Sequence, residues 1–435
     1  MIKEEIRRTK IGGNFMNDSR TLLIGIDIND EYTQISNYQY AINAPEAVTF
    51  SSEKDAFLIP TCLCVKESTK EWLFGHEAIR CNSLMQGEII TDLMKKLEFD
   101  EVTTIYGVEF TAIDLLTRYF KKLLSAIKQV NHNQGILKLA ITTKKVTLKI
   151  KMELLKVFDR LGLEKERVLI LSHIGSFMNY AMSQKPELWA NDVGLFHYDE
   201  DGLSYHQLSI GRRMSPVAVV AKEHKILDEF AFSLRKQEEP ARLAYRFEEL
   251  AKQVLFKKIV STLYITGKGF EGGWADPALR NLCVGRRVFQ GQNLYTKGAC
   301  YAAYVKQDEV FKDFIFLNED MISSNISLRL YHNAKEEDYV LASATTPWWE
   351  IDTSIYVILD DIDELTFSVT NMLTKESIKE IMKLNNMQVR ENKTIRLQIR
   401  LHFINRETAV ITVKDTGFGE FYESCFRIWE QVLIV

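Results

Sequence analysis

The stretch Thr21 to Ser36, TLLIGIDINDEYTQIS, decides how the rest of the chain is read. Leu22, Leu23, Ile24 and Ile26 form a short apolar run into a polar turn at Asn29-Asp30-Glu31, and Thr33 and Ile35 lead back out. Apolar run, turn residues and returning β-branched residues predict a β-hairpin. Gly25 removes a side chain where another backbone must come close, and Asp27 sets a carboxylate at the mouth of the strand. The pattern recurs at Val193 to Ile210, VGLFHYDEDGLSYHQLSI, again an apolar strand, an acidic turn with a glycine and a returning strand. Two such hairpins predict a duplicated fold with a ligand held between the copies.

Between the hairpins, helical and strand periods alternate. Leu58 to Lys66 is β-rich and interrupted by Pro60, and Gly75 opens a short helix. Thr111 to Val130 is an amphipathic helix: Thr111 and Asp114 have capping-box spacing, and Ile113, Leu116, Phe120, Leu123, Leu124 and Ile127 make one stripe. Leu137 to Thr142 and Val168 to Leu171 are buried-type strands, separated by a helix from Lys145 to Leu161 that Gly162 ends. Ile174 to Gln184 is a further short helix. This alternation predicts an α/β architecture. After the second hairpin, Pro240 starts a helix, and the strand Ile259 to Thr266 breaks at the glycine-rich run Gly267 to Gly273. Glycines such as Gly267 and Gly269 let backbone approach a ligand. Helices from about Trp274 to Cys283 and Asn293 to Val305 close this part.

From Ser324 the pattern changes to short strands. Arg396, Gln398, Arg400 and His402 alternate with Ile395, Leu397, Ile399, Leu401 and Phe403, the period of a sheet with one wet face. The expected organisation is a disordered leader over 1–20 (with Met16 as an alternative start to Met1), an α/β domain over 21–305, an apolar interdomain linker over 306–323 and a β-sandwich over 324–435.

A chain of 435 residues exceeds one compact core. A net charge of −4 gives no basic footprint for nucleic acid. No apolar run reaches the roughly 18 residues of a membrane span, so neither nucleic acid nor membrane is an expected partner, and the expected location is the cytoplasm. The six cysteines are sparse and read as reduced structural thiols; Cys62 and Cys64 lack a second pair to complete a zinc site.

In this order the segments resemble the 70-kDa heat-shock chaperones of the actin-like ATPase superfamily, from about Thr21 to Glu423. Leu23-Ile-Gly-Ile-Asp27 resembles the family's first phosphate hairpin. Ile59-Pro60-Thr61 and Leu73-Phe-Gly-His-Glu-Ala78 are similar to its Thr-Pro-Ser and Gly-Asp-Ala-Ala segments. Leu139 to Thr142, Gly162-Leu163, Val168 to Leu171 and Met178 to Ala181 follow its strand, helix and Ala-Ala-Tyr helix. Tyr264 to Gly267 and Lys297-Gly298-Ala299-Cys300 resemble the adenosine-side turn and its helix. Phe314-Ile315-Phe316-Leu317 resembles the interdomain linker, and Arg396 to Phe421 the last strands of the peptide-binding sandwich. The resemblance implies a duplicated two-lobed actin-like ATPase fold, then a sandwich like the chaperone peptide-binding domain, without a helical lid. It implies Gly25, Asp27, Gly267, Gly269 and Gly298 around a nucleotide, and Asp27 and Asp199 near its Mg²⁺.

The departures fall where the chemistry is expected. Asn29, Asp30 and Glu31 replace the Gly-Thr-Thr turn, and Asp199-Glu200-Asp201-Gly202 replaces the second glycine-rich turn. Ile79 stands in place of the lysine, with Arg80 one residue on, and Ser172-His173-Ile174 replaces Asn-Glu-Pro. Only Asp27 remains of the catalytic set. A carboxylate ~5 Å from a phosphate oxygen costs about 3 kcal/mol at an effective dielectric near 20. The expectation is a pseudo-ATPase that requires no cofactor, with at most weak ATP or ADP binding with Mg²⁺. It would act as a protein-binding or scaffold module for a protein or extended peptide, with Trp348 and Trp349 either contacting the partner or belonging to the sandwich core. The alternatives are an active ATP-dependent chaperone with altered phosphate contacts, and an acidic cleft that takes a divalent metal.

Overall fold

The computed structural model describes residues 21–50, 57–131, 134–308, 312–332, 334–387 and 389–435. The expected leader over 1–20, with both candidate starts, and residues 309–311 of the expected linker lie outside the described residues. The protein is mixed α/β, with a C-terminal part built almost wholly of strands.

The first sheet holds β1 (Thr21–Ile28), β2 (Tyr32–Gln39), β3 (Ala44–Ala47), β4 (Gly135–Thr143) and β5 (Val168–Ser172) in the order β5-β4-β1-β2-β3. β1, β4 and β5 run parallel, β2 and β3 antiparallel, and Ile59–Pro60 adds to β2. The second sheet holds β6 (Asp192–Asp199), β7 (Gly202–Gly211), β8 (Val217–Leu227), β9 (Val260–Thr266), β10 (Arg287–Gln290) and β11 (Phe314–Leu317) in the order β10-β9-β6-β7-β8-β11. Up to β8 this repeats the order and strand senses of the first sheet. β11 then adds parallel to β8, pairing Val217 with Phe314 and Val220 with Leu317. Ile315 and Leu317 are buried there, so the expected linker segment is the last strand of the α/β part.

β1 is buried along nearly its whole length because both of its faces are covered. Leu22, Ile24, Ile26 and Ile28 point into a core shared with α3 (Ala112–Val130) and α4 (Leu148–Arg160). α3 begins in the capping box expected from Thr111 and Asp114, and Thr147 caps α4. Two smaller helices precede them, α1 (Gly75–Ser83) and α2 (Leu93–Phe99). The opposite face of β1, with Leu23 and Gly25, receives α8 (Leu294–Asp308), whose Cys300 packs on Leu23. α8 thus comes from the second half of the sequence and completes the first sheet. The converse holds for α5 (His173–Met182): its Ile174, Phe177, Met178 and Ala181 pack on Val193, Leu195 and Leu208 of the second sheet. α6 (Pro240–Val254) and α7 (Asp276–Leu282) cover that sheet's other face, where Phe247 and Leu279 join Phe196 and Tyr205.

The C-terminal part has two four-stranded antiparallel sheets around one apolar core. The first contains Ser324–His332, Lys335–Ala342, Glu364–Asn371 and Ser377–Lys383; the second contains Asp352–Ile358, Arg396–Asn405, Thr408–Asp415 and Ile428–Ile434. The alternation around Ile399 places Leu397, Ile399 and Leu401 in the core and Arg396 and Arg400 outside. Trp348 and Trp349 are both half-buried. Trp348 packs on the sandwich core. Trp349 faces α4, with Lys151 5.8 Å from its ring and the Lys151–Glu350 ion pair at 2.5 Å beside it. Of the two expected alternatives, Trp348 takes the place in the sandwich core. Among the described residues, no helix is long and apolar enough to cross a membrane.

Candidate functional site

The tips of the two hairpins and the ends of the parallel strands meet between the sheets. The turn after β1 is closed by its own first residue: Asn29 Oδ1 accepts hydrogen bonds from the amides of Glu31 at 2.9 Å and Tyr32 at 2.8 Å. The turn after β6 is closed in the same way, with Asp199 Oδ1 accepting from the Asp201 amide at 3.0 Å. Such side-chain turns satisfy the amides that a glycine-rich turn would leave pointing outward.

The turn acids do not form the open carboxylate cluster expected from their sequence. Asp30 Oδ1 accepts from the amides of Met94 at 2.7 Å and Lys95 at 3.1 Å, an anion on the first turn of α2. Burial pushes the Asp30 carboxyl upward against those two bonds. Glu31 and Glu200, one from each turn, share Lys268 at 3.6 and 3.3 Å. Burial and then the Glu200 charge raise the Glu31 carboxyl. In the other direction Lys144, at the end of β4, bonds Asp201 and lies 3.9 Å from Asp199. The first sheet therefore sends an acid and a lysine across, and the second returns a lysine and two acids. Among the described residues, no group of three or more His, Cys, Asp or Glu side chains is arranged to hold a metal ion.

Deeper in, Asp27 is 3 % exposed, and His173 Nε2, on the first residue of α5, donates to its Oδ1 at 2.8 Å. The His173 ring stacks on Tyr295 of α8 at 3.9 Å. His197 lies edge-on to both rings, 6.2 Å from His173 and 5.3 Å from Tyr295. Register makes His197, rather than Asp199, the counterpart of Asp27: Asp27 pairs with Thr142 of β4, and His197 pairs with Thr266 of β9. Burial, with His173 and Lys144 nearby, pushes the His197 pKa down to about 3, so the ring is neutral. Asp199, 3.5 Å from His197, is itself raised by burial. The Tyr295 phenol is raised well above its ordinary range by burial. The sequence could not bring His173 to Asp27, 146 residues away; its only trace there was the replaced Asn-Glu-Pro segment.

A Cβ at any of the four expected ligand glycines would meet protein. A Cβ on Gly25 would overlap the Thr296 carbonyl oxygen, and one on Gly298 would overlap the Ser176 carbonyl oxygen where α8 crosses α5. Thr296 Oγ1 donates to the Gly25 carbonyl at 3.0 Å, and Cys300 Sγ lies 3.3 Å from the Leu23 carbonyl. On the adenosine side, a Cβ on Gly267 would meet the Tyr198 carbonyl and one on Gly269 the Tyr198 ring. Beyond Tyr198 lies an aromatic cluster of Phe230, Phe247, Phe270 and Trp274, and Trp274 Nε1 donates to the Gly269 carbonyl at 2.9 Å. The amides of Glu31, Tyr32 and Asp201 thus have side-chain acceptors, and Glu31, Glu200 and Asp201 have lysines, where the phosphates and metal of a Mg-nucleotide would need these groups.

Residues 321–435 match a domain of unknown function, DUF8552, and no curated protein matches the chain. The boundary between this match and the preceding one falls just after β11, which assigns that strand to the α/β part. Residues 44–319 match the C-terminal region of a family of unknown function, DUF5716, and the chain belongs to that family.

Proposed function

We propose that the α/β part is a two-lobed actin-like body, akin to that of the 70-kDa heat-shock chaperones, whose nucleotide site has been replaced by protein contacts. The repeated strand order and the exchanged helices support the fold reading. The observation that carries the functional reading is the closure of both hairpin turns on their own side chains, with the turn acids tied to Lys144 and Lys268. The direct ion pairs do what a bridging phosphate and its metal do elsewhere, so no step of hydrolysis is assigned to this chain. Its role is that of a non-catalytic scaffold that binds a protein or an extended peptide. Support for the partner class comes from the sandwich edge strand Ile428–Ile434, where Ile428, Val432 and Ile434 are exposed. An edge strand with apolar side chains suits strand addition by an extended segment.

Titration calorimetry with Mg-ATP, Mg-ADP and adenosine tests the reading. The expected result is no binding that depends on the phosphates, with phosphate release at background and unchanged by Asp27→Ala. ATP binding at least about tenfold more tightly than adenosine, a difference of ~1.4 kcal/mol, would restore the active ATP-dependent chaperone.

A further inference from the structure

A cavity of about 1320 Å³ is walled by α1, α3 and the segment before them. Small-molecule sites usually occupy ~300–1,000 Å³, so this space suits a larger guest. Its lining is unusual for a chain of net charge −4: six Lys or Arg side chains stand against three Glu. Arg118, Lys121 and Lys122 project from one face of α3, at the i, i+3, i+4 spacing that brings helical side chains together, and Arg80 comes from α1. Two of the three carboxylates are already engaged, Glu71 with Lys66 at 2.9 Å and Glu31 with Lys268 at 3.6 Å. Among the described residues, Arg80, Arg118, Lys121 and Lys122 have no ion-pair partner. Arg118 instead lies over the Trp72 ring at 4.4 Å and near the Phe110 ring at 5.2 Å. Ile59, Pro60 and Phe74 add apolar surface beside the cations.

Cations of one sign in a concavity focus an attractive field on an anion. We propose that this cavity binds an acidic peptide segment carrying aromatic or aliphatic side chains, contributed by a partner protein. The apolar lining distinguishes such a guest from a bare polyanion. A nucleic acid long enough to leave the cavity would also run over a net acidic chain. The cavity meets the hairpin junction at Glu31 and Lys268, whereas Arg118, Lys121 and Lys122 on α3 play no part in the nucleotide reading.

Fluorescence anisotropy on the full chain provides the test, with a short labelled Glu/Phe-rich peptide as probe. Its Gln/Phe counterpart should bind at least about tenfold more weakly, as should inorganic polyphosphate and a single-stranded oligonucleotide. The double reversal Lys121→Glu/Lys122→Glu, on exposed positions of α3, should abolish binding of the acidic peptide while thermal unfolding stays unchanged. Trp72→Ala should weaken the peptide more than it weakens polyphosphate. Equal binding of the Gln/Phe peptide would overturn the proposal, as would full affinity in the charge reversal. Polyphosphate or oligonucleotide binding as tightly as the acidic peptide would overturn it in favour of a general polyanion site.

Discussion

Asp27 and His197 occupy the same place in two sheets of the same topology, and they differ in charge. In the first sheet a buried carboxylate is held by the His173 imidazole; in the second a buried imidazole is kept neutral by its surroundings. Two facing acids at these positions would repel in a dry junction unless a cation stood between them. An acid opposite a neutral base needs none. With an imidazole rather than a second acid opposite Asp27, the pair by itself calls for no cation between its members, and the strand order up to β8 and the register at the pair are the same in the two sheets.

Restoring the acid is the hardest test of that contrast. His197→Asp adds a carboxylate near Asp27 and Asp199, and urea unfolding should show a loss of about 3 kcal/mol or more, the usual scale for an uncompensated buried charge. Mg²⁺ should recover part of the loss in the variant and do nothing for the parent chain. A variant as stable as the parent would mean that the junction tolerates a second acid unaided.

A smaller effect is expected at Gly298, where the sign is informative. In an open helix, Gly→Ala stabilises by about 1 kcal/mol through backbone entropy. Here the added methyl meets the Ser176 carbonyl, and forced overpacking costs typically ~1–3 kcal/mol. Packing should win, so Gly298→Ala should lower the urea midpoint; a raised midpoint would show that α5 and α8 separate easily.

The gentlest perturbation is pH. His197 titrates near 6.5 when unfolded and at about 3 in the folded protein. A folded pKa depressed in this way gives stability that is complete above pH 6.5. It is lost as pH falls toward 3, because the unfolded chain then takes up a proton that the folded chain refuses. The contribution to the slope is about 1.4 kcal/mol per pH unit for one proton. Unfolding of His197→Gln, followed from pH 7 to 4, should be flatter by about that amount; parallel curves would place the ring in a wetter setting.

How much of this was legible in the sequence depends on the range over which each feature is determined. The capping box at Thr111 and Asp114, the two hairpins and the alternation around Ile399 are local, and they appear where the residues predict them. The apolar run Phe314–Leu317 was legible as a segment avoiding water, but its partner β8 (Val217–Leu227) was not foreseen. The strand Ser377–Lys383 was missed because charged and polar residues stand among its apolar ones, and Ile428–Ile434 because apolar residues stand on both of its sides; either way the period of two is blurred. At the junction, residue types were visible but their partners were not. Asp30 read as a cleft acid, although it binds amides 64 and 65 residues away. Gly25 reads as a place where another backbone comes close, and the Thr296 carbonyl is there; only the resemblance put a ligand at Gly25 and Gly298, because a missing side chain says that something comes close, not what.

The exchange of α5 and α8 between the sheets also bears on how the chain is made. The first sheet is complete in strands once β5 has left the ribosome, yet one of its faces stays bare until α8, more than a hundred residues later, is synthesised. At the usual ~5–20 residues per second that interval is on the order of ten seconds. During it, Leu23 and the neighbouring apolar face of the nascent sheet have no cover, and α5 is similarly without the strands it packs on. Neither sheet can therefore bury both of its faces until the other half of the chain has been made.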